Sequence, residues 1–106
     1  MYAVQKTIAR VNQVDVPVYG RTIDKGPTSA VVNAGSTGPA GGERDAGGRF
    51  YLKFITDGDF FLEPIKGDEG ENIGFRIACS GDSMIQTFEK TLKFVLKILK
   101  DAEANK

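Results

Sequence analysis

Hydrophobic and polar residues alternate in short stretches along most of the chain and change to a helical spacing near its C-terminus. Residues 2–18 are rich in β-branched residues with partial period-two alternation, which predicts one strand or two short strands broken at Asn12 and Gln13. The sequence SAVVN at residues 29–33 predicts a further short strand. The glycine-rich segment that follows, residues 33–49, is expected to form a flexible loop.

A strong strand pattern returns at residues 50–56, whose side chains fall into two sets on opposite faces. The two sets are Phe50, Leu52 and Phe54 against Tyr51, Lys53 and Ile55. The Asp57-Gly58 pair that follows is typical of a two-residue hairpin turn, because glycine accepts the positive φ that such a turn requires. We therefore predict that residues 60–65 are the antiparallel partner of residues 50–56.

The last predicted strand and the helix follow a polar loop at residues 67–72. Alternation over residues 73–79 predicts a third strand of the same meander. Ser83 is followed three residues later by Gln86, which matches a capping box. We predict that the helix begins at Ser83 and runs to about Ala104.

Two apolar sets are spaced along this helix. The larger forms a continuous stripe that is predicted to pack on the sheet, and it consists of Ile85, Phe88, Leu92, Val95, Leu99 and Ala102. Phe94 and Ile98 lie away from this stripe and form a second patch that needs a partner. An adjoining flank, which suits either a nucleic-acid backbone or plain solvent, carries Lys90, Lys93, Lys97 and Lys100.

Composition argues against most catalytic chemistry. The 106 residues include no His and one Cys, so the commonest general base and the commonest metal ligand are missing. We expect no catalytic residues, no metal site and no cofactor. The 14 basic and 14 acidic residues leave no net charge. With no apolar run long enough for a bilayer and no signal-peptide pattern, we expect one soluble cytoplasmic domain over residues 1–106, without a membrane partner.

Aromatic and cationic side chains are expected to share one face of the predicted sheet. This set consists of Tyr51, Lys53, Phe61 and Arg76, with Lys6 and Arg49 as further basic members. Such a face suits single-stranded nucleic acid, because aromatic rings stack on bases while cations hold phosphates. The same residues would also suit a second buried face, since aromatic residues are good strand formers.

The chain from Arg49 to its C-terminus resembles the purine-rich-element-binding (PUR) domain. An aromatic strand, RFYLKF, leads through a short turn to GDFFLEPI, then to a polar loop, the strand GFRIAC and one long amphipathic helix. The resemblance, which extends to the related Whirly-type modules, implies a β-β-β-β-α unit that homodimerises and binds single-stranded DNA or RNA. It also implies that Phe94 and Ile98 are dimer contacts and that Tyr51, Lys53, Phe61 and Arg76 are ligand contacts.

These patterns together predict an α+β protein with an antiparallel, strongly twisted sheet of four or five strands and one long C-terminal helix. The leading function hypothesis is a non-enzymatic protein that binds single-stranded nucleic acid. The alternative is a small adaptor or inhibitor, of the phage or mobile-element type, that binds another protein through its helix and acidic loops. The two differ in salt dependence, because nucleic-acid binding weakens steeply as salt rises.

Overall fold

The structure, a computed structural model, describes residues 4–38 and 47–104 and confirms the α+β class. Its elements are β1 (Gln5–Val11), β2 (Val14–Lys25), β3 (Thr28–Ser36), β4 (Phe50–Thr56), β5 (Asp59–Lys66), β6 (Asn72–Ser80) and α1 (Asp82–Ala104). The first four strands form an antiparallel sheet in the order β1-β2-β3-β4, and β5 and β6 form a second, two-stranded sheet.

The N-terminal strand pattern is divided where the sequence predicts. Asn12 and Gln13 both have positive φ, at 47° and 69°, and they join β1 to β2 as a two-residue turn of the primed kind. The loop expected at residues 33–49 is shorter than predicted, because β3 continues to Ser36. Its middle part, residues 39–46, lies outside the described residues.

The predicted hairpin between β4 and β5 is wrong. β4 pairs with β3, β5 pairs with β6, and Gly58 does not have the positive φ of a primed turn. The Asp57 carboxylate instead accepts a hydrogen bond from the backbone N–H of Ser29 at 2.9 Å. A Cβ atom at Gly58 would lie 2.6 Å from the Met84 sulfur, so glycine allows this link to pack closely against α1.

The helix packs on the sheet through a face that overlaps the predicted stripe only in part, since Val95 of that stripe packs against the core. Its buried residues are Met84, Thr87, Thr91 and Phe94. Phe94 is 6% exposed and belongs to the core with Ile23, Val32 and Ala34, and Ile98 packs against the same cluster. Ile85 and Leu92, which were expected to be buried, are both 54% exposed. Hydrophobic spacing displaces the predicted stripe because Thr87 and Thr91 count as polar, although both are buried.

The helix start also differs from the predicted capping box. The helix begins at Asp82, and the backbone N–H of Ile85 donates to the Gly81 carbonyl at 2.9 Å. The Ser83 hydroxyl donates to the Lys25 carbonyl at the end of β2. Ser83 therefore attaches the helix start to the sheet.

The four-stranded sheet is strongly curled away from the helix. Val14, Val16 and Val18 are buried on the face opposite α1. The outermost strands, β1 and β4, approach each other. Arg49, the residue before β4, donates a hydrogen bond from its side chain to the Val11 carbonyl at the end of β1, at 3.1 Å. This curvature agrees with the twisted sheet predicted from the sequence.

Replacing Thr87 with valine should stabilise the protein. The Thr87 hydroxyl is buried without a hydrogen-bond partner, and an unsatisfied buried hydroxyl costs about 1–3 kcal/mol. We expect T87V to raise the free energy of unfolding by about 1 kcal/mol in urea denaturation. Thr91→Val is the matched control, because the Thr91 hydroxyl donates to the Thr87 carbonyl at 2.9 Å. A gain from T91V equal to that from T87V would contradict this account.

Candidate nucleic-acid interface

The helix presents two different flanks on either side of its buried face. The flank beside β2 is basic, with Lys90, Lys93 and Lys97 turned toward that strand. The flank beside β4 is apolar, where the Phe88 ring contacts the Phe54 ring with centroids 5.5 Å apart. The helix thus separates a basic region from an apolar region on the same side of the sheet.

The basic region is an open cleft of about 710 Å³ between β2 and α1, here called the basic cleft. Its five cationic side chains are Arg21, Lys25, Lys90, Lys93 and Lys97. Arg21 is half-buried, with its guanidinium carbon 6.0 Å from the centre of the Phe94 ring. This cation–π contact favours a fixed position for one positive charge at the floor of the cleft.

Nearby carboxylates offset only part of this charge. Asp24 lines the cleft, and two exposed helical ion pairs join Lys93 to Glu89 at 3.4 Å and Lys97 to Asp101 at 2.8 Å. Exposed pairs of this kind contribute about 0–1 kcal/mol each, so an anionic ligand can compete for the lysines. Five cations against three carboxylates leave the basic cleft electropositive in a chain with no net charge.

A second cavity, of about 570 Å³, lies next to the basic cleft and is here called the Tyr19 pocket. Phe94 and Lys97 line both cavities, so the two cavities are neighbours on the same side of the sheet. The walls of the Tyr19 pocket are mainly apolar and include Pro17, Tyr19 and Ile98. The ammonium group of Lys6 lies 5.8 Å from the centre of the Tyr19 ring. An aromatic ring beside a cation is therefore present here, and Lys6 is one of the predicted site residues, whereas Tyr19 is not.

The nucleic-acid platform predicted on one sheet face is not assembled. Tyr51 and Lys53 lie on the β4 face that points away from α1, where they line a small depression with Asn33. Phe61 and Arg76 belong to the separate β5–β6 sheet. Placing all four side chains on one sheet is wrong, because the β4–β5 link does not form a hairpin.

The remaining predicted site residues have varied positions. Lys6 lies over Tyr19, beside the Tyr19 pocket. Arg76 pairs with Glu63 at 3.0 Å on the exposed hairpin, and Arg49 bonds to the Val11 carbonyl and to carbonyls of the preceding glycines. The exposed patch predicted at Phe94 and Ile98 is wrong, because both side chains pack in or against the core of their own chain.

Arg21, Lys25 and Tyr19 are the residues that the sequence analysis missed. The strand pattern of β2 carries the relevant signal, since Tyr19, Arg21 and Ile23 alternate onto the helix-facing side of the sheet. The lysines of the helix flank were recognised, but their convergence with Arg21 depends on which helix face packs.

Comparison of the chain with protein families, curated proteins and solved structures finds no match. The resemblance to PUR and Whirly-type domains therefore stays a prediction from the residues. Among residues 4–38 and 47–104, no group of three or more His, Cys, Asp or Glu side chains is arranged to hold a metal ion. The same residues contain no helix with the length and apolar character needed to cross a membrane.

Proposed function

We propose that the protein is a non-enzymatic, cytoplasmic protein that binds single-stranded nucleic acid along the basic cleft and the Tyr19 pocket. The observation that carries this proposal is the convergence of five cations from β2 and α1 on one cleft that lies beside an aromatic pocket. The absence of His from the sequence further favours binding over catalysis.

The basic cleft suits the backbone of the ligand. Lys25 and Lys90 lie on opposite walls, from β2 and α1, and Arg21 supplies a planar group that can form paired hydrogen bonds to a phosphate. Contacts to phosphate carry little sequence information, so the proposed binding has weak sequence preference and strong salt dependence.

The Tyr19 pocket suits a base. Its mainly apolar walls and the half-buried Tyr19 ring offer a stacking surface, and Lys6, whose ammonium group lies over the ring, turns aside for the base and supplies a charge for the adjacent phosphate. A base that enters this recess must leave its stack. We therefore expect the protein to prefer single strands over duplexes of the same length.

This preference is tested by fluorescence anisotropy with a labelled oligonucleotide, alone and annealed to its complement, at low and physiological salt. The expected result is tighter binding of the single strand at both salt concentrations, with weaker binding at the higher one. Equal affinity for the duplex, or no binding at low salt, would overturn the proposal.

Two substitutions of Tyr19 test whether its aromatic ring, rather than an apolar side chain in general, contributes to binding. Tyr19→Leu keeps an apolar side chain but removes the aromatic surface, and loss of one stacked base costs about 1–3 kcal/mol. We expect Y19L to weaken single-strand binding about 10-fold, whereas Y19F, which keeps the ring, stays within about twofold. Equal losses in Y19L and Y19F in the same anisotropy titration would argue against stacking at this residue.

The alternative, an adaptor or inhibitor that binds a protein, is favoured by the apolar flank of α1, where Ile85 and Leu92 are more than half exposed. A pull-down at high salt after nuclease treatment distinguishes the two functions. A protein partner held by apolar contacts survives both treatments, whereas partners bridged by nucleic acid are lost.

A further inference from the structure

The β5–β6 hairpin projects from the rest of the molecule and is mostly exposed. Phe61, Leu62, Ile73 and Phe75 all have more than 60% of their surface exposed. The Cα radius of gyration is 15.2 Å, against about 13 Å for a compact domain of 100 residues. Because an isolated two-stranded hairpin is at best marginally stable in water, this element needs a covering surface.

One face of the hairpin is apolar, and here it is called the arm face. The β5–β6 register places its four members on the same side of the hairpin, and they are Leu62, Pro64, Phe75 and Ile77. The opposite face carries Phe61 together with the Glu63–Arg76 ion pair. The hairpin thus presents an uninterrupted apolar surface on the arm face, whereas on the opposite face an ion pair separates Phe61 and Ala78 from Ile65.

The body of the molecule carries a second exposed apolar surface, called the body face. It combines one side of β4 with the apolar flank of α1 and consists of Phe50, Leu52, Ile85, Leu92 and Leu96, each between 45% and 54% exposed. β4 is the last strand of its sheet, so its outer edge has no partner strand among the described residues. An exposed apolar edge strand is ordinarily covered in a native protein.

The arm face and the body face meet at one aromatic cluster. The Phe60 ring lies 4.9 Å from the Phe54 ring and 5.8 Å from the Phe88 ring, centroid to centroid. Phe60 shares the arm face side of the hairpin, while Phe54 and Phe88 belong to β4 and α1. The two surfaces are therefore continuous and border the same open space.

We infer that a second copy of this chain occupies that space, with the hairpin of each copy laid across the body face of the other. Each copy supplies both halves of the contact, as a two-fold symmetric interface requires. At roughly 100 Å² for each exposed apolar side chain, the two faces together bury about 800–900 Å² per copy, which matches a standard stable interface. The absence of net charge removes any overall repulsion between identical copies.

The mass in solution is the first test, by light scattering across a range of concentrations. The expected mass at micromolar concentration is twice that of the 11.5 kDa chain. A single-chain mass at all accessible concentrations would overturn the inference. This outcome is independent of nucleic-acid binding, because the basic cleft lies on the other flank of α1.

Matched hairpin variants then identify the contact surface. Phe75 and Phe61 are both 64% exposed but lie on opposite faces of the hairpin. We expect Phe75→Glu to weaken dimerisation about 100-fold or more, since each dimer would bury two unpaired carboxylates, whereas Phe61→Glu leaves it unchanged. Equal effects of the two variants, with both folded by circular dichroism, would contradict the assignment.

Mixing of variants tests the exchange itself. Leu92→Lys on the body face is expected to be monomeric, as is Phe75→Glu on the arm face. In a mixture, the unaltered hairpin of the L92K chain still fits the unaltered body face of the F75E chain. At the second contact, the hairpin of the F75E chain meets the body face of the L92K chain, and the introduced carboxylate and ammonium groups have opposite charges. Recovery of dimers in the mixture supports exchange. Its absence would show that like faces, rather than unlike ones, are in contact.

Discussion

Replacing Gly35 with alanine is expected to lower the free energy of unfolding by about 3 kcal/mol or more, because the backbones of β2 and β3 leave no room for a side chain. A Cβ atom there would overlap the Pro17 carbonyl oxygen and lie 2.9 Å from the Val18 Cα atom. Neither atom is the end of a flexible side chain. Relief would require β2 to move away from β3.

Gly74→Ala is the matched control for this substitution. Gly74 also lies in a strand, but a Cβ atom there would meet only the Ile65 side chain at 3.9 Å, which is an ordinary contact. We expect G74A to change stability by less than about 0.5 kcal/mol in urea denaturation. Equal tolerance of G35A and G74A would contradict the close approach of β2 and β3.

Phe94→Ala is expected to cost about 3–5 kcal/mol, a large fraction of the 5–15 kcal/mol typical of a domain. Phe94 is 6% exposed and packs with Ile23 and Val32, so truncation leaves a cavity in the core. It also removes the ring beneath Arg21. The free energy of unfolding of F94A, measured by urea denaturation, tests this expectation.

Phe61→Ala makes the same chemical deletion at an exposed site. Phe61 is 64% exposed on the hairpin and lies outside the proposed dimer contact. Its truncation should change stability by about 0.5 kcal/mol or less. If F94A were as mild as F61A, the helix would have to pack through its other stripe, as hydrophobic spacing alone predicted.

Most strand positions and the helix were predictable from the sequence, because each is specified by local alternation or spacing, but the second half of β2, residues 19–25, was not predicted. Asn12 and Gln13 mark the first turn, and the helix pattern ends at Ala104 as expected. The pairing of the strands was harder to predict from the sequence. Asp57 and Gly58 have the composition of a hairpin turn, but tertiary contacts to Ser29 and Met84 direct the chain into a second sheet.

The candidate site was only partly predictable for the same reason. The helix lysines and Lys6 were identified as basic residues, yet their relation to Arg21 depends on which face of α1 is buried. That choice depends on Thr87 and Thr91, whose burial no hydrophobicity pattern indicates. Sequence periodicity therefore located the charged flank without locating the cleft that it forms.

The salt dependence of single-strand binding in two matched variants tests the proposed site most directly. K25Q/K90Q removes two cations from the basic cleft, and K53Q/R76Q removes two from the positions first predicted from the sequence. Both variants lose the same net charge. We expect K25Q/K90Q to reduce the slope of log K against log salt by about 1.4, at about 0.7 per phosphate contact, while K53Q/R76Q keeps the wild-type slope. A reduced slope in K53Q/R76Q together with an unchanged slope in K25Q/K90Q would contradict binding in the basic cleft.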